Sequence, residues 1–360
     1  MEIKKILIFN PFGIGDVLFS TPLVRNLKEA IPAVSVHYLC NKRVFPILKN
    51  YPLLSKVFIF EKDEWRDALK KSKLEFIKKA ISFFSEIKKE KYDVVFDLSL
   101  NYQYGFFLKM SGIPKRIGFN FKNRGRLLTD KLDIANGYSE KHVASYHLEL
   151  LKFLNITPKD YKFELFVSNE SLQKAKKTFQ EHGITENDLL IAVCPGSGDS
   201  WGDSAYFKRW PQENFLKLCM MLEAELKAKI ILFGSKAETG ACNYISEKLK
   251  GNTVDLCGKI DLEEFCAAVS LCNLLITNDG GPFHVAQALG KSSIVLFGPV
   301  DEKVYGAYPV TDNCVVFAEH ISCRPCYKSF RFSGCNIDKQ CLRKITADEV
   351  FLAAKKMLKL

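Results

Sequence analysis

The 360-residue sequence has no apolar run approaching the roughly 18 residues that a membrane-spanning helix needs, so an integral membrane protein is not expected. Its opening, MEIKKILIFNPFG, holds only a short apolar run at 6–9, too brief for a signal-peptide core, and a turn follows at once. The expectation is a cytoplasmic chain. No zinc-finger pattern, RNP motif or basic zipper occurs, which argues against a nucleic-acid partner. Repeats and low-complexity tracts are absent. A third glycine is missing too: Gly13 and Gly15 follow the first strand-like run, but Leu18 stands where a dinucleotide fingerprint would close, so an NAD-dependent oxidoreductase is poorly supported.

What is there suits a globular protein of two domains, with 47% hydrophobic and 26% charged residues. A formal charge of +11 favours anionic partners, either nucleotide-containing substrates or an acidic membrane face. Twelve cysteines are many, yet Cys194, Cys219, Cys257, Cys266 and Cys272 sit among apolar residues, where a thiol packs as a small hydrophobe. No disulfide scaffold is indicated.

Strand-like and helical runs alternate from the start: KKILIFN, a helix over 16–30, then SVHYLC. A basic amphipathic helical region spans 65–91, with Leu69, Phe76, Ile77, Ala80, Phe84 and Ile87 near a helical period. YDVVFDLS reads as a buried strand, and the Arg- and Lys-rich residues 112–134 read as loop. A second series runs through LLIAVCPGSG, a helix over 212–226, KIILFGS, TVDLCG and TNDGGPFHVAQALGKSSIVLFGP. The predicted organisation is α/β, with one Rossmann-like domain at 1–160, another at 161–345, and a final helix at 346–360 packing back toward the first.

Five constellations carry polar groups where chemistry is done. Gly15 and Asp16 follow the first strand; the carboxylate is either a helix cap or a general base at the mouth of a sheet. Gly196, Ser197 and Gly198 form a turn whose N–H groups suit a phosphate, with Lys208 a cation for it or a solvated surface lysine. Gly234, Ser235 and Glu238 end a strand and open a helix, placing a carboxylate for ribose hydroxyls or for the helix N-terminus. Asp279, Gly280, Gly281 and His284 make a second glycine turn before a helix, again suited to an anion. Arg116, Arg124 and Arg126 form a basic cluster that could grip an acidic acceptor or face solvent. Separately, Cys323, Cys326, Cys335 and Cys341 permit a structural zinc, a redox pair or plain loop packing.

Together these residues resemble glycosyltransferase family 9, the ADP-heptose:lipopolysaccharide heptosyltransferases. The likeness rests on Gly15, Asp16, Thr21 and Pro22; on Pro195, Gly196, Lys208, Trp210 and Pro211; and on Asp279, Gly281, His284, Gly298 and Pro299. The cysteine-rich tail CRPC is similar to the heptosyltransferase II branch. The resemblance implies a GT-B fold, two Rossmann-like domains facing a central cleft, and inverting transfer of a sugar from ADP-heptose or a similar nucleotide sugar. It implies Asp16 as base and Lys208 with the glycine turns as holders of the leaving diphosphate. An anionic glycolipid of the lipid A-Kdo type would be the acceptor, with Gly15 and the arginines near it. No cofactor would be required, and no DxD motif is present to bridge a metal to the diphosphate. Peripheral contact with the cytoplasmic face of the inner membrane, through 65–91, is a further implication, the alternative being a helix packed on the sheet with its lysines in water. Gly280 departs from the family's Ser or Thr, which bears on the donor sugar. The competing expectation is a noncatalytic nucleotide-sugar or glycan-binding protein of the same fold.

Overall fold

The computed structural model describes residues 2–198, 201–249, 251 and 253–360. The side chains of Leu69 and Phe76, singled out above, lie outside the described residues. The chain divides into two compact units, Met1–Lys162 and Phe163–Leu360.

The first unit holds six strands: β1 (Lys5–Phe9), β2 (Ser35–Cys40), β3 (Lys56–Ile59), β4 (Val94–Asp97), β5 (Lys115–Asn120) and β6 (Asp130–Asp133). The second holds β7 (Leu190–Cys194), β8 (Lys229–Leu232), β9 (Thr253–Asp255), β10 (Leu274–Asn278), β11 (Ser293–Phe297) and β12 (Cys314–Ala318). Their orders are β3-β2-β1-β4-β5-β6 and β12-β11-β10-β7-β8-β9. Every pairing within these two sheets is parallel. Each is the doubly wound 3-2-1-4-5-6 order, with a topological switch between its first and fourth strands. Central strands such as ILIF, VVF and LLI are fully buried because helices cover both faces, which is why they read as unbroken apolar runs.

Three helix expectations change in detail. The helix expected over 16–30 is two, Ile14–Leu18 and Thr21–Ala30. Between them Ser20 and Thr21 turn their hydroxyls onto the carbonyls of Val17 and Leu18, and Pro22 restarts the helix where no N–H is needed. The region 65–91 is also divided, into Lys62–Lys71 and Lys73–Lys89, because Ser72 caps the second helix by accepting from Glu75 N. The final helix, Ala347–Leu358, packs within the second unit, its Val350, Phe351 and Ala354 sharing a core with Trp210, Phe215 and Leu218. Residues 112–134, read as loop, contain β5 and β6; their charged residues sit at strand ends and on an edge, where alternation with water masks a strand.

Candidate functional site

In an open α/β sheet the groups beyond the carboxyl ends of the strands at the switch point are the ones free to meet a ligand. In the first unit these are the turn after β1 and the end of β4, whose Phe9 and Asp97 are register partners. Asp16, half-buried, lies one turn into the short helix after β1, and its Oδ2 accepts from Gly13 N at 3.2 Å. Below it Asn10, fully buried, donates to the Asp16 carbonyl and to the Tyr38 hydroxyl, both at 2.9 Å. Ser20 hydrogen-bonds the same hydroxyl at 2.7 Å, so Asp16 stands on a buried Asn10–Tyr38–Ser20 network. Burial holds the Tyr38 phenol protonated. Tyr138 is held protonated too, by burial first and then by the negative charge of Asp16.

Asp97 went unnoticed in the sequence. It is buried at the end of β4 and accepts from Ser99 N at 3.0 Å and Ser99 Oγ at 2.5 Å. Burial raises its pKa to about 6 against the pull of those two bonds.

In the second unit the loops after β7, β8 and β10 lie side by side, because β7 is flanked by β8 and β10. Lys208, expected at the surface if structural, is buried, and its Nζ lies 2.8 Å from Asp279 Oδ2 and 5.0 Å from the Trp201 ring centre. His284 is buried on the first turns of the helix Gly281–Ala288, which presents the N–H groups of Gly281, Phe283 and His284. Burial lowers its pKa to about 4, so it is neutral at physiological pH, although Asp279 pulls the other way.

Glu238 ties two of the loops together. Its Oε1 accepts from Gly198 N at 2.7 Å and its Oε2 from Ser235 N at 2.8 Å. A Cβ on Gly196 would fall 1.8 Å from Glu238 Oε1, and one on Gly234 would fall 2.9 Å from Cys257 Sγ. Both glycines are therefore sites of close approach. Ser197 is buried, donating to the Ala205 carbonyl at 3.1 Å. Gly280 has an extended backbone, φ 164°, and a Cβ there would stand an acceptable 3.4 Å from the Ser197 carbonyl. Nothing in the fold therefore demands glycine at 280.

Asn278 is the second residue that sequence reasoning missed. Fully buried at the end of β10, it accepts from Trp210 N and donates to the carbonyls of Pro195 and Gly196, all at 2.9 Å. It thereby joins the Lys208 segment to the glycine turn. One signal existed: a polar amide closing the apolar run LLITN.

The basic cluster splits. Arg116 sits at the start of β5, and it donates to the carbonyls of Ile113, Pro114 and Leu127 at 2.6, 3.2 and 2.9 Å. It braces backbone at the amino end of the strand, opposite the edge where an acceptor was expected. Arg124 and Arg126 are exposed on the turn after β5, over the rings of Phe121 and Tyr102. The tail cysteines supply no three ligand atoms within 4.8 Å of one another, although the four lie close enough to interact: Cys326 Sγ donates to the Cys323 carbonyl, Cys335 Sγ accepts from Lys339 N, and Cys341 is buried. Among the described residues the one trio of ligand atoms within 4.8 Å is Cys242, Asp255 and Cys257. There the Cys257 thiol donates to the Ser235 carbonyl, while its hydrogen bond with Cys242, together with burial, pushes the Cys242 thiol up. No helix among the described residues is long and apolar enough to cross a membrane.

Three comparisons bear on the family and fold of the chain. The pattern of glycosyltransferase family 9 (heptosyltransferase) matches residues 80–335. A lipooligosaccharide heptosyltransferase 2 of Campylobacter jejuni is 26% identical over 99% of this chain and 98% of its own length. Among solved structures, a family 9 glycosyl transferase from Veillonella parvula superposes with a TM-score of 0.85 at 24% identity, covering 99% of this chain and 98% of its own. The E. coli ADP-heptose lps heptosyltransferase II does so with 0.75 at 22%, covering 98% of both chains.

Proposed function

Because the chain belongs to glycosyltransferase family 9 and has the GT-B fold, it is a glycosyltransferase, and we propose that it moves heptose from ADP-heptose to the lipopolysaccharide core. The observation that carries this reading is the support beneath Asp16: a half-buried carboxylate at the carboxyl end of β1, fixed through its own carbonyl by Asn10. In the reaction Asp16 takes the proton of an acceptor hydroxyl while that oxygen bonds to the anomeric carbon. The bond from that carbon to the diphosphate breaks on the opposite face, inverting the centre, and ADP leaves. In the second unit, N–H groups at the start of the helix Gly281–Ala288 receive the growing negative charge, with the Gly196–Ser197–Gly198 turn, whose Gly198 N–H is held by Glu238, close by. Lys208, ion-paired with Asp279, offers its ammonium to the diphosphate. Glu238 sets the shape of the nucleotide side by joining its two loops, with Gly234 and Ser235 lining it. Arg124 and Arg126 hold acceptor phosphates or carboxylates by forked hydrogen bonds, and Gly15 leaves room beside Asp16.

The test is incubation of the protein with ADP-heptose and a core-truncated lipid A-Kdo acceptor. A heptosylated product and released ADP are expected from the parent protein and not from Asp16→Ala. Undiminished turnover by Asp16→Ala removes the base; transfer only from another nucleotide sugar removes the donor assignment while leaving the base intact.

A further inference from the structure

We propose that Cys242, Asp255 and Cys257 form a binding site for a thiophilic divalent cation of the zinc class, with the Ser235 carbonyl as its fourth ligand. The ligand atoms of the three side chains all lie within 4.8 Å of one another. They come from three segments that the sheet order brings together: Cys242 from the helix Thr239–Ser246 after β8, Asp255 from the end of β9, and Cys257 from the turn that follows. Cys242 and Cys257 are buried and Asp255 is half-buried, so the carboxylate is the side of the cluster that an ion reaches first.

Zinc bonds to sulfur at about 2.3 Å and to oxygen at about 2.0–2.2 Å, so a tetrahedral site sets its ligand atoms about 3.4–3.8 Å apart. A trio within 4.8 Å closes on the ion with shifts of about 1 Å or less. The two thiols already hydrogen-bond to each other. Asp255 Oδ1 accepts from Cys257 N at 2.9 Å and no described residue donates to Oδ2, so the carboxylate is anchored by one oxygen and has the other to offer. The Ser235 carbonyl oxygen accepts from Cys257 Sγ at 3.3 Å, close to the separation of two ligands on one tetrahedral centre. Gly234 permits this approach, since a Cβ there would fall 2.9 Å from Cys257 Sγ.

A buried thiol packs as a small hydrophobe, which accounts for Cys194, Cys219, Cys266 and Cys272; what separates Cys242 and Cys257 is a carboxylate in reach of both. Two thiolates, a carboxylate and a carbonyl suit zinc rather than magnesium or calcium, which take oxygen ligands. On binding, each thiol releases its proton to solvent, and the S–H bonds to Ser235 and between the thiols give way to bonds to the ion. The three negative ligands exceed the charge of the ion by one, and the Lys259 ammonium, donating to the Asp255 carbonyl at 2.7 Å, makes up the difference. Glu238, the other carboxylate near Cys257, is already engaged by Gly198 N and Ser235 N. Four protein ligands leave no open position, so the ion is structural: it clips the helix Thr239–Ser246 and the end of β9 to the loop carrying Gly234 and Ser235. The site rests on these groups alone and stands whether or not the donor is ADP-heptose.

Zinc content and zinc titration of the full chain test it, in a background of Cys323→Ser with Cys326→Ser that sets the tail cysteines aside. This background protein should take up one zinc per chain, gain in Tm when zinc is added, and show an ultraviolet thiolate-to-metal band with cadmium. Adding Cys242→Ala with Cys257→Ala should abolish all three signals. Asp255→Asn keeps an acceptor for Cys257 N, so circular dichroism should be unchanged while zinc binding weakens on the order of 100-fold. The proposal falls if the background protein binds no zinc, or if Asp255→Asn binds it as tightly as the background does. It falls equally if the folded double alanine variant retains zinc, or if peptide mapping of the protein as purified finds Cys242 and Cys257 joined in a disulfide.

Discussion

The two units share one strand order and end their sheets differently. At the first unit's switch point, Asn10 leaves its buried Oδ1 without a hydrogen-bond partner, and Asp97 is a buried carboxyl held by Ser99. At the second unit's, Asn278 satisfies both ends of its amide, Lys208 pairs with Asp279, and Glu238 bridges two loops. The second is a preorganised polar frame, suited to one rigid, highly charged ligand such as a diphosphate. The first instead carries two carboxyls, buried Asp97 and half-buried Asp16; a buried side-chain oxygen without a hydrogen-bond partner occurs in both, Asn10 Oδ1 in the first and Asp279 Oδ2, ion-paired with Lys208, in the second. A shared topology thus carries two different local polar wirings.

The largest expected effect would separate chemistry from folding. Asp16→Asn should lower turnover ~10²–10⁴-fold and shift urea stability by less than about 1 kcal/mol; a collapse of stability would mean that the carboxylate is mainly a cap.

Lys208→Ala should behave oppositely, costing about 3–5 kcal/mol in urea denaturation because Asp279 is left buried and uncompensated. The double change Lys208→Met with Asp279→Leu should restore most of that stability and leave ADP binding by calorimetry lost. A single-variant cost under about 1 kcal/mol would erase the contrast between the frames.

Asp97 gives a signature in pH. Its folded pKa, about 6, lies above the ordinary 3.8, so the native state binds the proton more tightly than the unfolded chain. The associated stability is full below pH ~4 and is lost as pH rises through ~6. Asp97→Asn should remove this slope and leave the protein roughly 2–3 kcal/mol more stable than the parent at pH 7.5.

The two buried amides provide a finer comparison. Asn278→Ala should cost about 2–4 kcal/mol and Asn10→Ala about 1–2, because the first strands three backbone groups and the second disturbs fewer. Equal costs would contradict the difference in wiring. The smallest effect belongs to Gly280→Ser, which should alter stability by less than about 1 kcal/mol. Its readout is a ratio of affinities for ADP-heptose and ADP-hexoses; an unchanged ratio would dissociate position 280 from donor choice.

Much of this was legible in the chain because the strand-turn-helix alternation and the glycine turns are local. The turn residues Gly196, Gly234 and Gly281 stand where single strands end, and one strand's end is visible in one stretch of sequence. The pairing of Lys208 with Asp279 was not legible, since it depends on β7 and β10 becoming neighbours across the chain. Asp97 was hidden within a buried strand, where nothing local distinguishes a buried carboxyl from one at a solvated edge. Arg116 misled for a related reason: a basic run says nothing about which end of a strand each side chain occupies. β5 and β6 were missed because charged ends outweighed their short apolar centres.

Trp210 joins its backbone N–H to Asn278 and its indole N–H to the Ile345 carbonyl, just ahead of the helix Ala347–Leu358. During synthesis the first unit's sheet can close as soon as residue 133 has emerged from the ribosome. The segment bearing Lys208, by contrast, waits for more than 130 further residues before its anchor exists. A nascent chain therefore carries a closed first-unit sheet well before the Lys208 segment is anchored, and premature termination ahead of Ile345 would release the former without the latter's anchor.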